Sequence, residues 1–365
     1  MSEHSQNPPS AKRPEQVYAT TFFDSNQIPQ KLAAKGIDAI VAWQVPMRVK
    51  FRRIWLREGI WLHGPAGWGE CSPFWDYDAV ESAHWLAAGL ETATLELPLP
   101  QLNAIPLNVT VPVVPPERAA EIVAKSGAST AKVKVADPGS DLAADVQRLA
   151  AVREAIGDTG KIRIDANAAW DVSQAVSAIG ILNQAAGGLD YVEQPCPSVA
   201  ELAEVKQKVG VRIAADESVR RAEDPLAVAK AGAADLLVIK VQPLGGIRQA
   251  LHICEAAQLP VVVSSALDAA YGIWAGGRLA EQLALKGQLD GACGLGTMSL
   301  FTEDVLGQAN PSDGAHLSTQ KPDFDPIYHP SENGPEQVRH ELRERWATRL
   351  AAMSQALPER RFGKP

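Results

Sequence analysis

From about Leu107 to Thr297, short continuous apolar runs alternate with longer segments whose apolar residues recur every three or four positions. The runs are LNVTVPVV, AKVKV (131–135), KIRIDA (161–166), LDYVEQP, VRIAADES, DLLVIKVQ, PVVVSSAL and GACGLGT. Short apolar runs without alternation predict strands buried on both faces. The segments between them, such as ERAAEIVAKSG and DLAADVQRLAAVREAIG (141–157), predict helices stopped by Gly127 and Gly157. Eight such strands within about 190 residues predict an α/β fold, a closed (β/α)8 barrel over residues 106–298. An open doubly wound sheet is the alternative, but no G-x-G-x-x-G fingerprint follows an early strand.

Ahead of the barrel the pattern differs. IDAIVAWQVPM and RRIWLREGIWLHGPAGWGE predict strands with a turn at Gly64-Pro65-Ala66-Gly67, and residues 78–94 predict a helix. Residues 17–105 therefore form a front α+β domain, preceded by a polar leader (1–16) expected to be disordered. Residues 299–365 begin irregularly, with a Pro-rich stretch at 308–335, and end in an amphipathic helix from about Glu336 to Ala356. This segment is expected to pack back on the front domain.

Composition excludes several classes. The 365 residues suffice for two domains or one barrel with additions, and 46% hydrophobic with 21% charged residues is a globular balance. The net charge of -8, with no Lys/Arg cluster, argues against a nucleic-acid partner. The leader has no apolar core of a signal peptide, and no apolar run reaches the ~18 residues of a membrane helix, so no membrane partner is expected. Cys71, Cys196, Cys254 and Cys293 are scattered, without a C-x-x-C pair, which fits buried apolar thiols in a reducing cytoplasm. The nine tryptophans, Trp75 and Trp170 among them, read mainly as core or pocket walls.

The chemistry lies in where the charges fall. Lys132 and Lys134 share AKVKV; Asp165 ends KIRID, with Asn167 two residues on; Glu193 ends LDYVE; Asp216 and Glu217 end VRIAADE; Lys240 ends DLLVIK; Ser264 and Ser265 end PVVVSS. Alternation along a strand points Lys132 and Lys134 the same way. One polar group per βα unit, always at the C-terminal strand end, shares the barrel face on which active sites are built. Two like charges about 4 Å apart cost on the order of 4 kcal/mol at an effective dielectric near 20. Three converging carboxylates, Asp165, Glu193 and Asp216, therefore call for a divalent cation, Mg²⁺ or alternatively Mn²⁺. A lysine beside such a cation loses proton affinity, and a fall from about 10.4 to about 7.5 makes it a general base near neutrality. A metal with a lysine base suits removal of a proton next to a carboxylate.

With these residues in place, the chain resembles the enolase superfamily, in the muconate-lactonising subgroup with its Lys-x-Lys pair on the second barrel strand. Within it the chain resembles the o-succinylbenzoate synthases of menaquinone biosynthesis, especially the actinobacterial type. The matching motifs are PMRVKFRRIWLREG, GPAGWGECSPF, AKVKV, RIDANAAW, YVEQP, IAADES, LLVIKVQPLGG and SSALD, over about residues 40–310. The resemblance implies a capping role for the front domain, completed by the C-terminal segment. It implies Asp165, Glu193 and Asp216 as Mg²⁺ ligands, Lys134 as the base, Lys132 as its electrostatic neighbour and Lys240 as the opposite lysine that stabilises the enediolate. Asn167 and Glu217 are implied as supporting groups behind them, Ser264, Ser265 and Gly294 as substrate contacts, and Arg48 as a contact from a capping loop. The implied reaction removes water from a small-molecule carboxylate, a 6-hydroxy-cyclohexadiene carboxylate bearing a succinyl arm. A monomer is compatible with the sequence.

Plainer readings compete at several positions. Asp165 is also placed to cap a helix, Ser264 and Ser265 are as well placed to cap as to touch substrate, and Arg48 has the character of a surface charge. GPAGWGE reads as a hairpin turn rather than a phosphate cradle. By sequence alone, either Asp216 or Glu217 serves as the ligand, and the resemblance selects Asp216. For function, an N-acylamino acid racemase would use the same two lysines. A dipeptide epimerase would carry Asp-x-Asp where this chain has CGLGTM, and a mandelate-racemase-type site would carry a histidine where it has serines. A non-catalytic structural barrel would have no use for so many costly charges.

Overall fold

The front sheet is a run of antiparallel neighbours, β1 (Ala19–Phe22), β2 (Ala39–Phe51), β3 (Ile54–Gly64) and β4 (Gly67–Cys71), with α1 (Gln30–Ala33) between the first two. The computed structural model describes residues 17–52, 54–220, 225–303, 312–322 and 332–357. The leader (1–16) and residues 308–311 and 323–331 of the Pro-rich stretch lie outside these residues. The β3–β4 connection is the expected hairpin, and Gly67 at its end has φ +95, a conformation glycine adopts without strain. The longer β2–β3 hairpin carries a register shift between Pro46 and Phe51, and Arg52 at its tip has φ 47. Helix α2 (Ala79–Thr94) begins where the Asp78 side chain accepts from the Glu81 N–H at 2.8 Å.

A short strand, β5 (Ala104–Pro106), leads into the barrel. Its units follow as β6 (Val109–Val111), α3 (Pro116–Ser126), β7 (Thr130–Lys134), α4 (Leu142–Ile156), β8 (Lys161–Asp165), α5 (Val172–Ala185), β9 (Tyr191–Glu193), α6 (Val199–Lys208) and β10 (Ile213–Ala215). Then come α7 (Glu217–Arg220), α8 (Ala227–Lys230), β11 (Leu236–Ile239), α9 (Val241–Leu244), α10 (Ile247–Ala257), β12 (Val261–Val263) and α11 (Ala270–Leu285). Strands β6 to β12 form one parallel sheet in chain order. Residues 293 and 294 close it, through parallel bridges Leu107–Cys293 and Ser264–Gly294. The eighth run is thus two bridged residues rather than a full strand. The (β/α)8 barrel with its α+β front domain is the observed fold.

Three details depart from the sequence reading. The first run is strand over Val109–Val111 alone, because Pro112 has no N–H for a ladder. Two four-residue helices, α7 and α8, stand among the described residues between β10 and β11, where one crossover helix is expected. Trp75 is not core, being 48% exposed.

The chain closes on itself. Strand β13 (His316–Ser318) pairs with β5, and helix α12 (Glu336–Ala356) packs against α2, β1 and β2. Leu342, Trp346, Leu350 and Met353, spaced by four, four and three, form its buried stripe. Each buried Leu or Met there contributes about 1.5–3 kcal/mol.

Candidate active site

Parallel register places the first charges. Lys134 lies opposite Asp165, and Asp165 opposite Glu193, so three adjacent strand ends present side chains to one face. Lys132 points the same way one pleat deeper. Its ammonium donates to both Glu193 oxygens, at 3.1 and 3.2 Å, and stands 3.5 Å from Asp165 Oδ2. Lys134 Nζ donates to Asp165 Oδ2 and, at 2.9 Å, to Asn167 Oδ1. On the other side Asp216 and Lys240 each sit one residue beyond their strand, and Lys240 Nζ donates to Asp216 Oδ2 at 2.5 Å. The structure therefore brings together the three lysines and the three carboxylates expected as base, electrostatic partners and metal ligands.

All three carboxylates are buried. Burial and the neighbouring Asp165 charge push Glu193 up to about 7, with Asp216 adding to the rise. Burial raises Asp216 too, but Lys240 and Arg220 outweigh it and hold its carboxyl at about 2. For Asp165 the opposing cations Lys134 and Lys132 likewise overcome burial and lower it. Lys132 is buried, yet Glu193 and Asp165 hold it firmly protonated. Lys240 is lowered, because burial exceeds the help of Asp216. Buried charges of this density gain little net stability, so their concentration at one mouth marks a working site. Asp165, Glu193 and Asp216 supply the hard oxygen donors a divalent cation takes. As oriented, each is turned to a lysine, and among the described residues no three acidic, histidine or cysteine side chains stand ready to hold a metal ion.

Several supporting residues are visible only in three dimensions. Gln194 is fully buried with φ 39; its amide donates to Cys196 O (2.8 Å) and Ser218 Oγ (2.7 Å) and accepts from the Asp216 N–H (3.0 Å). It thereby ties the strand end that presents Glu193 to the one that presents Asp216. A left-handed non-glycine residue costs about 1–3 kcal/mol and persists where the surroundings hold it. Asp165 does not cap α5; that task falls to Asp171, which accepts from the Gln174 N–H. Instead Asp165 Oδ1 accepts from the Asn167 N–H at 3.0 Å. Glu217 Oε1 accepts from Arg220 Nη2 at 2.6 Å. Arg220 had no place in the sequence reading, although its spacing of four from Asp216 in a helix was a usable signal.

The presumed substrate contacts divide. Neither serine caps α11: Ser264 Oγ donates to Gly294 O at 3.3 Å, and Ser265 shares a 2.5 Å bond with Thr297. A Cβ on Gly294 would meet Ser264 Oγ at 2.6 Å, so the serine hydroxyl needs a glycine there. Arg48 is exposed and donates to Thr302 O at 3.2 Å. It lines a cleft of about 340 Å³ with Arg118, Ile273 and Met298, and none of the six charged residues lines that cleft. The hairpin residue that does reach the charges is Phe51, whose ring centroid is 5.2 Å from Lys134 Nζ.

The front domain is keyed into the barrel by buried polar groups. Glu70 accepts from the Ala269 and Gly272 N–H groups at 2.7 and 2.9 Å and from Ser72 Oγ at 2.8 Å. Gln242, two residues past Lys240, donates to Asp268 at 2.8 Å and accepts from the Ser72 N–H at 2.9 Å. Arg57 Nε donates to Leu267 O at 2.9 Å.

Comparison with known proteins agrees with this architecture. The family model described as "Enolase C-terminal domain-like" matches residues 116–282, and "Enolase N-terminal domain-like" matches 42–93. An o-succinylbenzoate synthase of Thermobifida fusca (strain YX) is 54% identical over 264 residues, covering 72% of this chain and 82% of that protein. One of Mycobacterium tuberculosis (strain ATCC 25618 / H37Rv) is 50% identical over 279 residues, covering 76% and 83%. Among solved structures, the L-Ala-D/L-Glu epimerase of Bacillus subtilis superposes with a TM-score of 0.66 at 25% identity, over 78% of this chain and 96% of that one. The muconate lactonizing enzyme of Pseudomonas putida gives 0.60 at 20% identity, over 78% and 94%, and speaks for the fold alone.

Proposed function

The chain belongs to the o-succinylbenzoate synthase family of the enolase superfamily, and from that premise we infer how its residues carry the reaction. It is a carbon–oxygen lyase that takes water from 2-succinyl-6-hydroxy-2,4-cyclohexadiene-1-carboxylate and yields o-succinylbenzoate, a step of menaquinone biosynthesis. Lys134 removes the proton next to the carboxylate, and this requires that its pair with Asp165 open. Lys132, held protonated, keeps positive charge beside the base. Lys240, on the opposite side, steadies the enediolate charge. The hydroxyl departs as water, taking up the proton removed from the ring carbon, and the gain of aromaticity drives this second half. Asp165, Glu193 and Asp216 would hold Mg²⁺, with Mn²⁺ as the alternative, and Asn167 and Glu217 would orient this set. When bound, that cation would supply electrostatic stabilisation of the second negative charge that reaches the substrate carboxylate once its α-proton has left. Ser264, Ser265 and Gly294 serve as substrate contacts on the far side of the mouth, whereas Arg48 would reach substrate from the neighbouring cleft.

The observation that carries this reading is the convergence of Lys134, Asp165, Lys132 and Glu193 on one side with Lys240 and Asp216 on the other. Direct assay with the cyclohexadiene substrate tests it: aromatisation should require added Mg²⁺ and stop reversibly on chelation. Turnover indifferent to chelator would remove the metal assignment. The facing lysines also support a second reading, racemisation of N-acylamino acids at the same site. N-succinylphenylglycine in D₂O would then exchange its α-proton, and silence would mark a dedicated dehydratase. We place the protein in the cytoplasm, in keeping with four unpaired, buried cysteines and with no described helix long and apolar enough to cross a membrane.

A further inference from the structure

Arg220 occupies an unusual junction. Its side chain is only 7% exposed. Nε donates to Asp216 Oδ1 at 3.0 Å, the oxygen that Lys240 leaves unused, and Nη2 donates to Glu217 Oε1. The remaining arm, Nη1, reaches the phenol oxygen of Tyr77 at 3.3 Å. Tyr77 belongs to the front domain, just ahead of α2, and the same phenol oxygen accepts from Arg52 Nη2 at the tip of the β2–β3 hairpin. The Arg52 guanidinium lies 4.0 Å over the Phe74 ring, which fixes its direction. The neighbouring hairpin residue, Phe51, is the one set against Lys134. An unbroken chain, Asp216–Arg220–Tyr77–Arg52, thus runs from a buried carboxylate of the barrel to the hairpin that covers the base.

We propose that Arg220 is a positioning residue that couples the seating of the 48–52 hairpin to the orientation of Asp216. Its planar fork suits this task, because Nε, Nη1 and Nη2 donate at fixed angles to one another, which a lysine does not reproduce. With Oδ1 pinned, Asp216 keeps Oδ2 directed to the site. With the hairpin lifted, Arg220 loses one of its three partners and Asp216 gains rotational freedom. The inference deepens the proposed function and rests, for its metal arm, on Asp216 being a ligand.

The test uses the full-length protein and three variants, Arg220→Met, Arg220→Lys and Tyr77→Phe. Hydrogen–deuterium exchange of residues 46–52 should rise in all three. Unchanged exchange there in folded variants would overturn the coupling. Arg220→Met should weaken Mn²⁺ binding, read by calorimetry, and lower kcat by about tenfold or more, the scale for residues behind a metal ligand. Tyr77→Phe should weaken Mn²⁺ binding by less than Arg220→Met does and raise KM about two- to tenfold, the value of one hydrogen bond; Mn²⁺ affinity equal to the parent's would overturn the coupling. Arg220→Lys should not rescue Arg220→Met; full rescue would reduce the role to charge alone and overturn the positioning. Should Arg220→Met fail to fold, the joint shift of Mn²⁺ affinity and KM in Tyr77→Phe decides the matter. A parent protein that binds no Mn²⁺ would sink the metal reading, and the exchange experiment would still decide the coupling.

Discussion

The two flanks of the barrel mouth are built differently. On the β7–β9 flank, Lys134, Asp165 and Glu193 stand on successive rungs of one ladder, and Lys132 stands one pleat below. Their directions are set by the sheet itself. On the β10–β12 flank, Asp216 and Lys240 lie past their strands, at the starts of short helices, and their surroundings reach across to the front domain through Arg220–Tyr77 and Gln242–Ser72. One flank is fixed by backbone pairing, and the other by the docking of two domains. Loss of a group should therefore have different consequences on the two sides.

The largest expected effect is on the ladder flank. Lys134→Ala should lower kcat by about 10²–10⁴, the usual worth of a general base, while the melting temperature stays close to the parent. Turnover that survives removes Lys134 as the base; a collapse in stability would erase the contrast between flanks. Next comes the docked flank. Glu70→Ala leaves the Ala269 and Gly272 N–H groups buried and unpaired, each costing about 1–3 kcal/mol. Urea unfolding should show that loss together with a fall in kcat/KM. If stability alone falls, the flank does not depend on domain docking.

A third effect is set by pH. Burial and the charge of Glu70 push Asp268 up to about 7, well above an unfolded aspartate. Its protonated form is favoured in the folded state, so its contribution to stability is present below about pH 4 and is lost as pH rises through about 7. Denaturation of the parent and of Asp268→Asn across that window should show the parent losing its relative advantage as pH rises; a constant difference would mean that Asp268 titrates normally. The smallest effect belongs to the barrel's outer wall. Lys125 pairs with Glu121 on the exposed face of α3, and Lys125→Ala should change stability by less than about 0.5 kcal/mol and leave activity alone.

The ladder flank was legible in the sequence because strand alternation and the βα period are local rules that place Lys132, Lys134, Asp165 and Glu193 without knowledge of the rest. Gly127 and Gly157 likewise marked true helix ends. The docked flank was legible only as residue types. Lys240 could be picked by period and Asp216 only together with Glu217, until the resemblance chose between them; Tyr77, Gln194 and Phe51, and the reach of Arg220 to the front domain, take their meaning from partners tens to more than a hundred residues away. No periodicity encodes such contacts. The eighth strand was visible as GACGLGT, but its reduction to two bridged residues follows from closure geometry, which no single run contains.

The late segment has a further consequence. Residues 293–294 seal the ring, and α12 lies on β1 at the other end of the chain. During synthesis β1 must wait for α12, and the ring stays open until residues 293–294 have emerged from the ribosome. Completion of both domains is thereby postponed until α12 has been made, a timing that leaves apolar edges in need of protection until then.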